Sequence, residues 1–177
     1  MRTVVIGSGS WGTALAQVLQ DNHQEVLVYG VAEAEVNDIN ENHKNSKYFG
    51  DVELNPELKA TTDIQCVKGA DIVLLAVPTI AIDPICHQIN DILDKKTIII
   101  NVSKGFHPET NERMSEVIRR CIDEDKLSSV VSLIGPSHAE EVVIRLLTTI
   151  DAISLNNEDA VTVQNLFSNQ YLSLIHI

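Results

Sequence analysis

The segment MRTVVIGSGSWGTALAQVL, residues 1–19, decides the fold of this chain. Residues 1–6 are typical of a short buried strand, and residues 13–19 have the composition of a helix. The string GSGSWG at residues 7–12 lies between them and has the pattern G-x-G-x-x-G. Between a strand and a helix, such a string indicates a dinucleotide site, although it can also form a glycine turn that binds no ligand.

Each glycine of the string has its own physical role in such a site. Gly7 allows the tight turn out of the strand, Gly9 leaves room for a pyrophosphate, and Gly12 lets the helix pack close to the strand. The free N–H groups at the start of the helix then face the phosphates. Trp11 is unusual in such a loop, and we expect it either to form a wall of the cofactor pocket or to pack against a neighbouring loop.

The composition excludes several classes of partner. The chain has 177 residues, of which 44% are hydrophobic, and this is enough for one α/β domain with its own core. The formal net charge of −12 argues against binding to nucleic acid or to anionic membranes. A small anionic cofactor is still compatible with this charge, because a helix end and a single lysine can bind one locally.

Cysteine usage and hydropathy favour a cytoplasmic protein. Cys66, Cys86 and Cys121 are far apart and form no C-x-x-C pair, which predicts reduced thiols and neither a disulfide framework nor a zinc site. The chain begins with a strand rather than a leader sequence, and no apolar run approaches the ~18 residues that a membrane span needs. We therefore expect no membrane insertion and no metal.

Strand-like and helix-like segments alternate along the chain. The predicted strands are 2–6, 25–29, 59–61, 71–77, 97–102, 130–134 and 147–154. The predicted helices are 13–19, 32–42, 79–93, 109–122, 137–145 and 157–168, with a loop over 43–58. Pro84 fits its helix only near the first turn. The alternation predicts a doubly wound, Rossmann-like α/β fold with a parallel sheet.

Polar or glycine-containing strings follow four of the predicted strands. They are Gly7–Gly12, Val77-Pro78-Thr79, Ser103-Lys104-Gly105 and Gly135-Pro136-Ser137. Because ligands bind beyond the carboxyl ends of the strands in such sheets, we expect these strings to meet at one crevice. Lys104 can direct its ammonium to a phosphate or a carbonyl oxygen there, or it can be a solvated loop lysine. Ser137 is a candidate N-cap, a role compatible with a ligand at the same helix end.

Four further polar residues carry weaker signals. His107 and His138 have no neighbour in sequence that would orient them as general bases, and we expect both to be ordinary loop or helix residues. Glu140 and Glu141 are more typical of a solvated helix face than of catalytic carboxylates.

The residues after the second predicted strand do not decide between NAD and NADP. A carboxylate at this place would bind the ribose hydroxyls of NAD, but Tyr29-Gly30-Val31 occupy it. Glu33 and Glu35 come slightly later, on a predicted helix. No arginine is present at 30–32 to hold a 2′-phosphate.

Four strings along the chain occur together in one known family. They are GSGSWGTA from Gly7, AVPT from Ala76, SKGF from Ser103 and GPSHAEEV from Gly135. Their order and spacing resemble those of the bacterial NAD(P)-dependent glycerol-3-phosphate dehydrogenases, over residues 1–171. The resemblance implies reversible reduction of dihydroxyacetone phosphate to sn-glycerol 3-phosphate by NADH or NADPH, a product used in glycerophospholipid synthesis. It also implies a homodimer.

The resemblance implies roles for individual residues. In addition to the glycines, the implied cofactor contacts are Ser10, Trp11, Lys104 and Ala139. The implied substrate contacts are Lys104, Gly135 and Ser137. Val31 stands where the family commonly carries a basic residue, which weighs against a strong NADP preference, and His138 stands where a phenylalanine is usual.

The end of the chain departs from the family. The family continues into a helical substrate domain, which supplies the general acid/base lysine and an Arg-Asn pair, and the chain ends before it. The string LSLIHI at residues 172–177 does not resemble the family's next strand, and we expect a frame change or foreign sequence there. We therefore expect residues 1–171 to form the dinucleotide-binding domain, with no catalytic residue within the chain and no turnover by the chain alone.

Two other functions are compatible with the same patterns. One is a different dehydrogenase with a similar cofactor domain, for a 3-hydroxy acid or a nucleotide sugar, although Gly135-Pro136-Ser137 favours the first family. The other is a non-enzymatic domain that senses a dinucleotide and controls a partner. The interrupted character of the chain end argues against this second alternative.

Overall fold

Eight strands form one sheet, and the computed structural model describes all of residues 1–177. The strands are β1 (Arg2–Ile6), β2 (Glu25–Tyr29), β3 (Lys59–Thr61), β4 (Ile72–Leu75), β5 (Thr97–Asn101), β6 (Leu127–Ile134), β7 (Thr148–Ser154) and β8 (Leu172–His176). Their spatial order is β3-β2-β1-β4-β5-β6-β7-β8. The first six strands run parallel, which confirms the doubly wound, Rossmann-like arrangement that the alternating pattern predicts.

Seven α-helices connect the strands and cover both faces of the sheet. They are α1 (Ser10–Asp21), α2 (Glu33–Asn37), α3 (Ser46–Phe49), α4 (Thr79–Asn90), α5 (Met114–Cys121), α6 (Ala139–Val143) and α7 (Asn157–Phe167). A π-helical turn at Asp38–Asn42 follows α2, and a 3-10 turn at Ile64–Val67 follows β3. The buried apolar side chains of α1 and α6 belong to one apolar cluster, together with Val163, Leu166 and Phe167 of α7. Those of α4 and α5 belong to a second cluster.

Strand β4 shows how the sheet divides these two clusters. Ile72 and Leu74 belong to the first cluster, whereas Val73 and Leu75 belong to the second. All four side chains are fully buried, as the continuous apolar run predicts for a strand between two helical layers.

The direction of β7 corrects the prediction of a wholly parallel sheet. Val131 of β6 pairs with Ser154 of β7, and Ile134 pairs with Asp151, so the two strands are antiparallel. The helix between them, α6, has five residues and is about 7 Å long. A helix of this length does not return the chain to the amino end of β6, and β7 therefore starts near the end of β6 and runs back.

The last residues also differ from the prediction, because they do not lie outside the domain. Residues Leu172–His176 form β8, which pairs in parallel with β7 at the edge of the sheet. Leu172 and Leu174 are buried, whereas Ser173 is exposed, and this alternation is the pattern of a half-buried strand. The domain therefore continues past Tyr171, while the expected foreign origin of the segment stays a prediction.

Two helices differ from the predictions, α5 in the residue at which it begins and α4 in the position of its proline. α5 begins at Met114 rather than at 109, because His107 Nδ1 accepts the backbone N–H groups of Glu109 and Thr110, at 3.3 Å each, and holds the chain in a turn. Pro84 lies in the second turn of α4 rather than the first. It is on the exposed side of the helix, where water can hydrogen-bond the carbonyl group that proline leaves unpaired.

Smaller differences concern the short helices. α3 lies within 43–58, which the sequence predicts as a loop, and α6 is shorter than the predicted 137–145. None of the helices has the combination of length and apolar character that crossing a membrane would require.

Candidate dinucleotide site at the carboxyl edge

Four neighbouring strands end at the same edge of the sheet, and each is followed by one of the predicted strings. β1 leads into Gly7–Gly12, β4 into Val77-Pro78-Thr79, β5 into Ser103-Lys104-Gly105 and β6 into Gly135-Pro136-Ser137. Ser103 Oγ donates a hydrogen bond of 2.6 Å to the carbonyl oxygen of Val77, which joins the second and third strings. The four strings therefore share the edge at which parallel α/β sheets bind their ligands.

The three glycines of the first string differ in what surrounds them. Gly7 has a φ of +118°, and a Cβ there would overlap the carbonyl oxygen of Ala76. A Cβ at Gly12 would overlap the carbonyl oxygen of Gly7. A Cβ at Gly9 would have no atom within 4 Å. Packing thus requires the first and third glycines, whereas Gly9 faces open space of the kind that a close-lying pyrophosphate needs.

Helix α1 starts directly behind this open space. Gly9 is its N-cap, and no side chain hydrogen-bonds the cap or adds a negative charge to the first turn. The first N–H groups of a helix have no partner within the helix and carry the positive end of its dipole. An anion next to Gly9 would supply the acceptors that these groups lack.

A buried asparagine, which the sequence analysis missed, braces the glycine loop. Asn45 is fully buried, and its Nδ2 donates to the carbonyl oxygen of Ser8 at 2.8 Å and to Thr13 Oγ1 at 2.9 Å. Thr13 Oγ1 in turn donates to the same Ser8 carbonyl at 3.3 Å. The loop and the start of α1 are therefore held by a side chain from a distant segment, for which the sequence carries no local signal.

The glycine loop opens into a cavity of about 670 Å³. Its walls come from the glycine loop itself, the end of β2, the start of α2, helix α3, the segment after β4 and helix α4. Trp11 lines this cavity and also packs against the first apolar cluster, so both of the roles expected for it occur together. Val31 lies at the rim with 84% of its surface exposed.

A carboxylate from the following helix reaches back to the glycine loop. Glu35 Oε2 accepts a hydrogen bond of 2.5 Å from Ser8 Oγ, and Glu35 Oε1 lies 2.6 Å from Lys47 Nζ. Only 11% of the Glu35 side chain is exposed. Burial alone would raise the pKa of Glu35, but the hydrogen bonds from Lys47 and Ser8 outweigh it and hold the pKa below its ordinary value. Glu35 is therefore an ionised group in the wall of the cavity.

The residues predicted for the substrate side divide between a second cavity and the protein interior. Lys104 and Gly135 line a cavity of about 630 Å³ together with Phe106 and Arg113. Ser137 lines none of the larger cavities, and it is 7% exposed, with its Oγ 3.5 Å from the carbonyl oxygen of Gly135. Lys104 and Gly135 therefore line the same cavity, whereas Ser137 is buried next to Gly135 and does not line it.

Two predictions about the α6 segment can be compared with its geometry. The N-cap of α6 is His138, whose side chain makes no capping hydrogen bond, so the prediction of Ser137 as N-cap is wrong. The reason is that the chain stays extended through residue 138 before the helix begins. Ala139 is buried in the first apolar cluster, among residues of α1 and α6. Glu140 and Glu141 are exposed, as predicted for a solvated helix face.

A third group of polar side chains joins α4 to α5, on the face of the sheet that the second apolar cluster covers. Asp83 accepts a hydrogen bond of 2.9 Å from Arg120 and lies 3.2 Å from His87 Nε2, with Cys121 nearby. Burial raises the pKa of the Cys121 thiol to about 11, so the sulfur is a neutral thiol rather than a thiolate. The guanidinium already supplies the positive partner of Asp83, and the group is best described as an ion-paired contact between two helices.

This geometry defines the class of the protein as a Rossmann-like dinucleotide-binding domain. A doubly wound sheet, a glycine loop after its first strand and an uncapped helix behind that loop are the defining parts of this class. The chain belongs to the family described as NAD-dependent glycerol-3-phosphate dehydrogenase N-terminus, which matches residues 2–161.

Known relatives agree with this assignment. The chain is 45% identical to a glycerol-3-phosphate dehydrogenase [NAD(P)+] of Listeria innocua over 174 residues, which are 98% of this chain and 52% of the relative. The corresponding values for the enzyme of the same name from Streptococcus uberis are 42%, 98% and 52%. The chain thus spans about half the length of these relatives.

Solved structures show the same fold. The crystal structure of glycerol-3-phosphate dehydrogenase from Coxiella burnetii superimposes with a TM-score of 0.90 at 25% identity, covering 99% of this chain and 53% of that one. A UDP-D-ManNAc dehydrogenase from Pyrococcus horikoshii has a TM-score of 0.76 at 15% identity, covering 99% of this chain and 47% of that one. The second likeness shows that the fold alone does not separate these dehydrogenases, whereas the family match does.

Proposed function

We propose that this chain is the cofactor-binding part of an enzyme that reduces dihydroxyacetone phosphate to sn-glycerol 3-phosphate with NADH or NADPH. The observation that carries the proposal is the open space at Gly9 in front of the uncapped start of α1. It occurs in a chain that is 45% identical to enzymes named for this reaction. The product of the reaction would serve glycerophospholipid synthesis.

The glycine loop holds the cofactor in this proposal. The N–H groups at the start of α1 bind the pyrophosphate beside Gly9, and Ser10 and Trp11 line the space around it. We also assign Ala139, which is buried where α6 packs against α1, to the cofactor side of the site. When bound, the dinucleotide supplies a hydride to the substrate carbonyl. The work of the protein is to hold and orient the reactants.

The strand-end residues of β5 and β6 form the substrate side. Lys104 is exposed at the mouth of its cavity, where its ammonium can neutralise charge on the substrate phosphate or on the carbonyl oxygen. Gly135 lines the same cavity from the neighbouring strand end, and we assign Ser137, which is buried next to Gly135, to the substrate site as well. In the family that the chain resembles, the lysine that gives the proton to the substrate oxygen belongs to the helical substrate domain. Because this chain spans 52% of its Listeria innocua relative, we expect no turnover by residues 1–177 alone.

The cellular compartment and the partners of the protein are part of the same proposal. The three cysteines, Cys66, Cys86 and Cys121, are free thiols, which supports a reducing compartment, and we assign the protein to the cytoplasm. The partners are the small-molecule substrate and a second copy of the whole protein.

Titration with NADH and NADPH tests the cofactor site, with the fluorescence of Trp11 as the signal. Trp11 is the single tryptophan of the chain and lines the proposed cavity. We expect a saturable change with at least one dinucleotide. Gly9→Val should abolish it without lowering the unfolding temperature, because the backbone at Gly9 is extended, with a φ of −70°, and a Cβ there has no atom within 4 Å. If the Trp11 fluorescence of a folded wild-type sample does not change with either dinucleotide, the proposed cofactor site is wrong.

A second experiment tests the reaction. A longer protein that includes the following domain should oxidise NADH in the presence of dihydroxyacetone phosphate, and Lys104→Met should lower kcat/KM by about a hundredfold, as loss of a charge-stabilising group does. Lys59→Met is the matched control, because Lys59 is an exposed lysine on β3, remote from both cavities. Equal losses in the two variants would contradict the role of Lys104.

A further inference from the structure

The cavity at the glycine loop contains one acidic and one basic side chain, and the two are paired. Glu35 comes from the first turn of α2, and Lys47 comes from α3. Their 2.6 Å contact lies beside Ser8, whose Oγ donates to the other oxygen of the same carboxylate. Lys47 is the only cation among the residues that line this cavity.

The position of Glu35 corresponds to the ribose end of a dinucleotide. The end of β2 and the glycine loop approach closely there, because a Cβ at Gly30 would overlap Ser8 Oγ. In domains of this class a carboxylate about 20 residues beyond the glycine loop accepts the ribose hydroxyls of NAD. In this chain no carboxylate occupies the strand end at residues 29–31, but Glu35 reaches the same place from the helix.

We infer that Glu35 selects NADH over NADPH in this protein, by accepting a hydrogen bond from the 2′-hydroxyl of the adenosine ribose. The inference rests on the proposed function. Each carboxylate oxygen has room for two hydrogen bonds, so the contacts with Ser8 and Lys47 leave acceptor capacity free. A 2′-phosphate in the same place would meet the negative charge of Glu35.

The same pair explains why Lys47 does not favour NADPH. A lysine in this cavity could bind a 2′-phosphate, but its ammonium is already neutralised by the carboxylate at 2.6 Å. Val31 and Ala32, at the end of β2, offer no positive charge to replace it. The selectivity therefore depends on Glu35 in two ways, as an acceptor for the hydroxyl and as the group that occupies the lysine.

Binding titrations of the chain with NADH and NADPH separate these roles. We expect wild type to bind NADH at least about tenfold more tightly, the effect of one hydrogen bond to a charged group. Glu35→Gln should weaken NADH binding and strengthen NADPH binding, because Lys47 becomes available to the phosphate. Adding Lys47→Met to that variant should remove the gain for NADPH. Glu33→Gln removes the same charge from an exposed site on the same helix and should change neither affinity.

Lys47→Met alone keeps the test decisive if Glu35→Gln proves unstable. The lysine side chain is 62% exposed, so its loss should leave the fold intact. With Glu35 no longer neutralised, NADPH should bind several-fold more weakly than to wild type, while NADH binding is kept. If neither dinucleotide binds to wild type, the proposed function falls together with this inference. If both bind, and wild type shows no preference or the variants leave the ratio unchanged, the inference alone is overturned.

Discussion

The side-chain Nδ2 of Asn45 lies 2.8 Å from the carbonyl oxygen of Ser8, a residue 37 positions earlier in the chain. This buried hydrogen bond fixes the second residue of the glycine loop from outside the loop. Because Thr13 Oγ1 hydrogen-bonds both Ser8 and Asn45, the glycine loop, the start of α1 and the segment before α3 are joined by one set of buried hydrogen bonds. The shape of the dinucleotide site thus depends on a residue that does not line its main cavity.

Asn45→Ala should lower both stability and cofactor affinity. The change leaves the Ser8 carbonyl and the Thr13 hydroxyl with fewer partners in a buried place, and we expect a loss of about 2 kcal/mol in the free energy of unfolding. Urea unfolding and the NADH titration measure the two effects. Asn42→Ala is the control, because Asn42 is exposed and donates only to Asp38. Unchanged NADH affinity in Asn45→Ala would contradict the bracing role.

Alanine substitutions at Gly12 and Gly9 should affect different properties, stability in the first case and dinucleotide binding in the second. Gly12→Ala places a Cβ against the carbonyl oxygen of Gly7, and we expect it to cost about 2 kcal/mol or more of stability. Gly9→Ala has no atom within 4 Å of the new Cβ and should leave the unfolding temperature unchanged while weakening dinucleotide binding. Thermal unfolding followed by circular dichroism, with the fluorescence titration, distinguishes them. Equal destabilisation of both variants would show that the loop geometry differs from the one described.

Leu174→Ala should destabilise the whole domain if β8 is an integral strand. The side chain is 2% exposed and lies in the first apolar cluster, so its truncation should cost about 2–5 kcal/mol. Ser173→Ala, on the exposed side of the same strand, should have little effect. Denaturant unfolding of the three proteins makes the comparison. A loss below about 0.5 kcal/mol in Leu174→Ala, the usual size for a surface position, would place this segment outside the cooperative core.

Asp21 should make stability depend on pH in the acidic range. Burial raises the pKa of this carboxyl, but hydrogen bonds from Arg145, Tyr171 and Asn55 outweigh burial and hold the pKa below its ordinary 3.8. A carboxyl whose pKa is lowered on folding stabilises the protein above its ordinary pKa, and this contribution disappears as the pH falls through the lowered value. Asp21→Asn should therefore be less stable than wild type by about 1 kcal/mol at pH 6.

The difference between wild type and Asp21→Asn should shrink as the pH falls below about 4, because the wild-type carboxyl then becomes protonated. Denaturant unfolding at a series of pH values measures it. Asp51→Asn is the matched control, since the Asp51 side chain is fully exposed and its ion pair with Lys44 should contribute little at any pH. A difference that grows toward low pH would contradict the sign of the pKa shift.

Much of the site could be predicted because its signals are local. The packing roles of Gly7 and Gly12 follow from their spacing, and the position of Lys104 at the carboxyl edge follows from the buried strand before it. Asn45 and Glu35 could not be assigned in the same way. Each acts through a partner in the glycine loop that is distant in sequence, 37 and 27 positions away, and nothing adjacent to either residue indicates that partner.

The sequence by itself determined the order of the first seven strands, the glycine loop and the burial of β4 on both faces. These features depend on periodicity and on residue types within a few positions, so a local pattern is enough to predict them. Only the tertiary structure decided that β7 runs antiparallel, that Leu172–His176 form a strand, and that Glu35 joins Ser8 to Lys47. Those features depend on the path of the chain between distant segments, because strand direction and hydrogen-bond partners are set by which segments meet in space.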